Sequence, residues 1–565
     1  MQIMAFNRWT AWLGILLLWL VIYLPSLGRP EVQSNEPKRM LPAERMLESG
    51  DWITPEFCGE KYYKKPPLIN WMIAASYRVC GEISEFAARL PSVLMVLAAA
   101  SVIVLLGSSW FPLAARFIAA LAYLTTYAVI ESGRLCEIEA TLMSLTAMVT
   151  VWWLSTWIDR RSPWLVWLGS GLILGAGMLL KGPAILLFFY VLVLCAAGYS
   201  RRWKELLHPA HFVGLALMVG MFMAWAWPGL QAAKALAAVT ALPQSEAAST
   251  WRTELLQQVN LQEIKFGNWI KQILFAVAGF LPWLPLLLLW FRRRALQCDD
   301  KAMLVLKSLL TAMGITFVLF NLMPGTRARY SAPLCAHLVL ICGLLVSTPL
   351  VEAGFEPWRR LTARLTGIFF LLVAVFAPAV WMLENGSFLP RLWSRLQVKP
   401  LMAMVPPTAW WVVVLFMLAI LGYKLSSQLR RTALPLRGVV LISALAVTSA
   451  TMFYSVLVLP VVCCFEIKRP AVVPVNRAAT EAIPICIYRN DMPFQFYLRR
   501  PLFYVTSTRE LPDADVYLFL SADQLAETQP RFRELGRQTV PVAEMVYKKE
   551  RYLLLRSVKL SAPAR

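Results

Sequence analysis

Several charged groups interrupt a chain that is otherwise mostly apolar. Lys61, Lys64 and Lys65 lie among Tyr62, Tyr63 and Trp71, and Arg327 and Arg329 stand beside Tyr330 just after Pro324-Gly325. Arg134, Glu137 and Glu139 precede one long apolar run, and Lys181 ends another. Clustered cations can hold a phosphate, arginine in a bidentate grip, and a tyrosine ring can stack on sugar or lipid carbons. A carboxylate at the same place can take a proton. Each group also has a plainer role: lysines beside apolar runs snorkel, Arg327 to Tyr330 can be a capped helix start with an interfacial tyrosine, and Arg134 with Glu139 can be an ion pair that only orients a loop.

What positions these groups is set by composition. The chain has 565 residues, 58% hydrophobic and 16% charged, with a mean hydropathy of +0.58. That is not a soluble composition. Apolar runs long enough to cross a bilayer fall near 11-27, 85-106, 112-130, 138-157, 164-180, 183-199, 211-231, 271-290, 303-322, 331-349, 365-383, 408-425 and 438-460, about thirteen spans. The first is read as a retained span, with a cleaved signal peptide as the alternative. With the N-terminus cytoplasmic, Arg160-Arg161, Arg201-Arg202, Arg292-Arg293-Arg294, Arg359-Arg360 and Arg430-Arg431 all face one side, as the positive-inside rule requires. The net charge of +22 is therefore spread over loops, which disfavours nucleic acid as a partner. Ten Cys, several inside apolar runs, and three scattered His give no support to a disulfide framework or a zinc site.

An odd span count puts the segment after 465 outside. Pro484 to Tyr488, Val516 to Leu520 and Tyr552 to Arg556 read as short buried strands, with a helix over Ala522 to Leu535. The predicted organisation is a membrane domain over 1–465, with outer loops 28–84 and 232–270, and a small α/β domain over 466–565. In the first loop, Met40, Ala43 and Leu47 share a helical face that suits an interfacial helix. Cations are sparse in translocated loops, so the cluster at 61–65 opposes the trend and favours a functional reading for Lys65.

The flanking residues are recognisable. Asn35-Glu36-Pro-Lys38, Gly50-Asp51-Trp52, Tyr62-Tyr63-Lys64-Lys65-Pro66-Pro67 and Trp71 are followed by Glu85-Phe-Ala-Ala-Arg89, Arg134 with Glu139, Lys181-Gly182-Pro183, Leu281-Pro-Trp283 and Arg329-Tyr330. This series resembles the bacterial GT-C glycosyltransferases of the aminoarabinose transferase and protein O-mannosyltransferase superfamily, in order over roughly residues 10 to 350. The resemblance implies a polytopic α-helical GT-C fold with a small periplasmic C-terminal domain, a bacterial inner-membrane location and an active site facing the periplasm. It further implies a polyprenyl-phosphate-linked sugar as donor, and a lipid, glycan or protein as acceptor. By position, Lys65 and Lys181 would contact the donor phosphate, with Lys38 standing where arginine is usual, and Arg327, Arg329 and Tyr330 beside them. Arg134, Glu137 and Lys64 would support the site.

One departure bears on the chemistry. The first acidic residue of the family pattern, which activates the acceptor or helps hold a metal, is Asn35 here, and an amide cannot take a proton. Glu31, Glu36 and Glu139 are then the carboxylates to consider, with Glu137 close by, and Glu36 and Glu139 are taken as the catalytic candidates. A divalent metal ion is compatible with the resemblance, and no other cofactor is implied. The rival from another class is a non-catalytic polyprenyl-phosphate binder or flippase accessory. A secondary transporter is disfavoured, because no repeated half is visible.

Overall fold

A computed structural model describes residues 7–33, 35–62, 65–240, 266–295, 298–322, 326–347, 356–385, 409–431, 436–455, 459, 468–479, 483–488, 495–498, 502–505, 511–512, 514–547 and 550–559. The chain divides into two compact units: Met1–Leu27, Lys64–Ile69 and Arg89–Val461 form the first, and Gly28–Tyr63, Asn70–Ala88 and Val462–Arg565 the second.

The first unit is helical, since in a bilayer the backbone must satisfy its own hydrogen bonds. Among the described residues six helices are long and apolar enough to cross a membrane: Glu85–Leu105, Ile138–Ile158, Pro163–Lys181, Pro209–Gly229, Asp300–Leu322 and Arg360–Pro378. The bent pair Leu113–Thr125 and Tyr127–Gly133 makes a seventh, and shorter apolar helices lie at Arg8–Tyr23, Ala184–Ser200, Ala332–Ser347, Val412–Gln428 and Gly438–Phe453. The protein is thus a multi-pass α-helical membrane protein. Two expected spans are interrupted: that at 112-130 is the bent pair, and that at 271-290 is broken by a turn. The run at 271-290 is a helix to Ala278, a turn over Gly279 to Trp283, and a 3-10 helix over Leu284–Ala295.

That turn has a physical reason. At the 56° bend between Thr125 and Tyr127, freed N–H groups need acceptors. Tyr127 N–H donates to the Leu281 carbonyl and Ala128 N–H to that of Gly279, each at 3.0 Å. Trp283 Nε1 donates to Thr125 Oγ1 at 3.1 Å. Two interrupted helices complete each other inside protein, which is where a membrane tolerates broken backbone. Elsewhere small residues set the spacing: a Cβ on Gly171 would come within 2.4 Å of the Gly214 carbonyl, and one on Gly214 within 2.5 Å of the Trp167 carbonyl. The helices Pro163–Lys181 and Pro209–Thr240 therefore cross backbone to backbone.

The second unit is α/β. A two-stranded ribbon pairs β1 (Glu56–Phe57) with β2 (Glu60–Lys61), and a five-stranded sheet is built from β3 (Ile485–Tyr488), β4 (Leu502–Val505), β5 (Val516–Ser521), β6 (Arg537–Tyr547) and β7 (Glu550–Lys559) in the order β4-β3-β5-β7-β6. β3 runs parallel to β4 and β5, and β7 antiparallel to β5 and β6. Cys486, Leu518, Leu520 and Leu555 pack against Phe532 of the helix Ala522–Glu534. The strands expected at 484–488, 516–520 and 552–556 are present; β4 and β6 are additional, as is the helix Lys468–Ala478. The helix expected around Met40 runs Pro37–Ser49, started by Pro37 and ended by Gly50, whose φ of +73° suits glycine. It buries Met40, Ala43 and Met46, with Leu47 only partly covered.

Candidate active site

Four residues far apart in sequence meet in the first unit. Glu139 lies in the first turn of Ile138–Ile158, and Lys181 is the last residue of Pro163–Lys181. Lys181 Nζ is 3.3 Å from Glu139 Oε1 and Arg329 Nε is 3.5 Å from the same oxygen. Lys181 Nζ also stands 5.4 Å from the centroid of the Tyr330 ring. Lys65 belongs to the same unit and is half-buried in the turn before the helix Leu68–Cys80. Among the described residues Glu139 is therefore shared by two cations, Lys181 and Arg329.

Local sequence explains the placement. Gly182, at φ +71° and ψ −151°, ends the helix after Lys181, and its N–H returns to the Met178 carbonyl. Pro183 precedes the helix Ala184–Ser200 with φ −70°, so Lys-Gly-Pro leaves the lysine at a sharp corner. Arg329 and Tyr330 form a 3-10 turn, Ala328–Tyr330, with Arg327 at its N-cap. Ala328 N–H donates to Gln272 Oε1 at 2.9 Å. Asn321 Nδ2 donates to Ser331 Oγ at 3.0 Å, and Trp269 Nε1 to the Asn321 carbonyl at 2.8 Å. Gln272 and Asn321 were not singled out by sequence; their only signal was an amide within an apolar run.

The remaining candidates are placed differently. Arg134 donates to the carbonyls of Ile22 at 2.5 Å and Pro25 at 2.6 Å, satisfying the frayed end of the first helix. Glu137 is the N-cap residue of Ile138–Ile158 and Arg327 is exposed. Lys64, Tyr63 and most of the loop at 232–270 lie outside the described residues.

Asn35, Glu36 and Lys38 belong to the second unit. Glu36 is fully buried; its Oε2 accepts the Gln33 N–H at 2.8 Å, and its carbonyl accepts those of Arg39 and Met40. Asn35 and Lys38 are half-buried, with the Lys38 N–H donating to the Asn35 carbonyl at 3.1 Å. The Arg39 guanidinium stacks 5.8 Å over the Tyr62 ring. As for a metal, among the described residues no three His, Cys, Asp or Glu side chains converge, so no such donor set is assigned.

Comparison with known proteins follows the same lines. Residues 64–227 match the family model described as dolichyl-phosphate-mannose-protein mannosyltransferase. The chain is 28% identical over 386 residues, 66% of each protein, to the undecaprenyl phosphate-alpha-4-amino-4-deoxy-L-arabinose arabinosyl transferase of Aeromonas salmonicida. It is 30% identical over 226 residues, 38% of this chain and 40% of the relative, to the transferase of that name from Pseudomonas savastanoi. These alignments span less than two thirds of the relatives' own lengths. In fold it is similar to the crystal structure of ArnT from Cupriavidus metallidurans bound to undecaprenyl phosphate, with a TM-score of 0.66, 97% of each chain covered and 19% identity. The resemblance to GT-C transferases read from the motifs is borne out, and the chain shares their fold.

Proposed function

We propose that this chain is an inner-membrane glycosyltransferase that takes a sugar from an undecaprenyl-phosphate carrier and transfers it to an acceptor on the periplasmic face. The observation that carries this reading is the convergence of Lys181 and Arg329 on Glu139, with Tyr330 beside them: among the described residues two cations share this one carboxylate. Such an arrangement calls for an anion, and a phosphate at the lipid surface supplies one. The names of the relatives make aminoarabinose the first sugar to test.

The chemistry is a direct displacement with inversion. The acceptor hydroxyl or amine attacks the anomeric carbon, the bond from that carbon to the phosphate oxygen breaks, and its electron pair leaves on the phosphate. Lys181, Arg329 and Lys65 stabilise the charge that develops there, while Tyr330 offers a ring to the sugar or prenyl carbons. Glu139, already shared by two cations, is assigned to positioning them. The proton released by the acceptor then goes to another carboxylate, for which Glu36 is the candidate left by the sequence.

The test is transfer by the purified protein in lipid nanodiscs, with undecaprenyl-phosphate-aminoarabinose as donor and membrane lipid extract as acceptor, read by mass spectrometry. A labelled product with wild type and its loss in Lys181→Ala is the expected result. Asn35, standing where the family pattern has an acid, favours a second reading as a non-catalytic carrier binder. Under that reading donor binds, no product forms, and Asn35→Asp creates activity.

A further inference from the structure

The second unit contains a cleft of about 1050 Å³, built from the helix Pro37–Ser49, the turn at Cys58-Gly59, the segment from Tyr77 to Glu85, the helix Lys468–Ala478 and the residues around Phe496 and Phe503. Its size is at the upper end for pockets that take small molecules, ~300–1,000 Å³. Glu44, Glu48, Glu56, Glu82 and Glu85 line it, against the arginines Arg45, Arg78 and Arg469. The charges are largely spent on one another. Arg45 bonds Glu56 at 3.1 Å and Glu48 at 3.2 Å, and Arg469 bonds Glu85 at 2.7 Å. Glu85 also accepts the Tyr497 hydroxyl at 2.8 Å, and Glu82 that of Ser84 at 2.8 Å.

This wall has two consequences for a ligand. A phosphate would meet five carboxylates and three guanidinium groups, two of which, Arg45 and Arg469, are already held by glutamates; like charges at such range disfavour it. Fixed carboxylate and guanidinium edges, however, present acceptors and donors in defined directions, which suits hydroxyl and amino groups. Aromatic rings supply the other half of the site: Phe496 and Tyr497 lie edge to face at 5.5 Å, and Phe503 is 38% exposed, enough to present a ring face. Phe503 is held by close backbone approach, since a Cβ on Gly59 would fall 2.8 Å from its ring. Flat aromatic faces beside directed hydrogen-bonding groups are the chemistry that recognises a pyranose ring.

We infer that this cleft binds a glycan without phosphate groups, bearing hydroxyl or amino substituents, as the carbohydrate part of the acceptor. The inference rests on the glycosyltransferase reading and adds the acceptor's class to it.

The test titrates the full-length protein in detergent with chitotetraose, with the tetramer of glucosamine, and with a bisphosphorylated glucosamine disaccharide, by calorimetry. Undecaprenyl-phosphate binding is measured separately by native mass spectrometry. One or both phosphate-free tetramers should bind, more tightly than the bisphosphate, and Phe503→Ala and, independently, Phe496→Ala should weaken them at least ten-fold with carrier binding retained. The inference is overturned if neither tetramer binds, if the bisphosphate binds more tightly, or if neither substitution matters. A wild type that fails to bind undecaprenyl phosphate would instead refute the donor assignment, and the tetramer titrations would still decide the cleft.

Discussion

Lys181 Nζ and Glu139 Oε1 lie 3.3 Å apart, and each sits at the helix end that favours its charge. Lys181 closes a helix, where carbonyls gather partial negative charge, and Glu139 opens one, where N–H groups gather positive charge. The helix ends therefore add to the ion pair in anchoring both charges, and the Tyr330 ring stands beside the lysine. Under the proposed function, Glu139 spaces these cations for the donor phosphate.

Replacing Lys181 or Arg329 by Ala removes one charge-assisted contact to the donor phosphate, worth about 1.5–3 kcal/mol. Undecaprenyl-phosphate binding should fall roughly ten-fold to a hundred-fold, as read by native mass spectrometry. Lys65→Ala should behave alike. Wild-type binding in all three variants would remove the cations from the donor site.

Glu139→Gln should separate positioning from binding. Removing one partner of a buried ion pair costs about 3–5 kcal/mol, so the melting temperature should drop clearly. Carrier phosphate should still bind, because the competing carboxylate is gone and both cations are available. A variant that keeps its stability but loses phosphate binding would show that Glu139 does not play this role.

The sequence carried the membrane class, because apolar run length and one-sided basic loops follow from bilayer physics. Motif spacing carried Lys181 and Arg329-Tyr330 as candidates. It could not show that Glu139 joins them, since that contact spans 42 residues on one side and 190 on the other. Gln272 and Asn321 were hidden for a related reason: their value lies in bracing a turn that is distant in sequence. The break at Gly279 to Trp283 was invisible to hydropathy, because a broken span is as apolar as a continuous one.

Gly171 tests the membrane packing. Gly171→Ala puts a methyl within 2.4 Å of the Gly214 carbonyl, and overpacking of this kind costs about 1–3 kcal/mol. Thermal denaturation in detergent should show a lowered midpoint, while Gly220→Ala, where nothing lies within 4 Å, should leave it unchanged. Equal midpoints for the two variants would mean that the helices do not cross at this glycine.

The proposed orientation is checked with single cysteines in a background lacking the native ones. Ser49 and Ser162 are both exposed, in the first loop and beside Arg160-Arg161 respectively. In intact cells with a permeable outer membrane, an impermeant maleimide should label Ser49→Cys and spare Ser162→Cys. The reverse pattern would place the cation cluster in the cytoplasm and end the periplasmic reading.

Glu36→Gln addresses the proton. The glutamine keeps an oxygen to accept the Gln33 N–H, now made at 2.8 Å, so the buried turn should hold and thermal stability should change little. What the amide loses is basicity. Transfer should therefore be abolished while undecaprenyl-phosphate binding remains near wild type, and Asn35→Asp alone should leave activity equal or higher. If Glu36→Gln transfers sugar normally, the carboxylate only shapes its turn. The base would then have to be sought among the other carboxylates of the outer loops, with Glu31 first, because it too is buried and lies five residues away on the same segment.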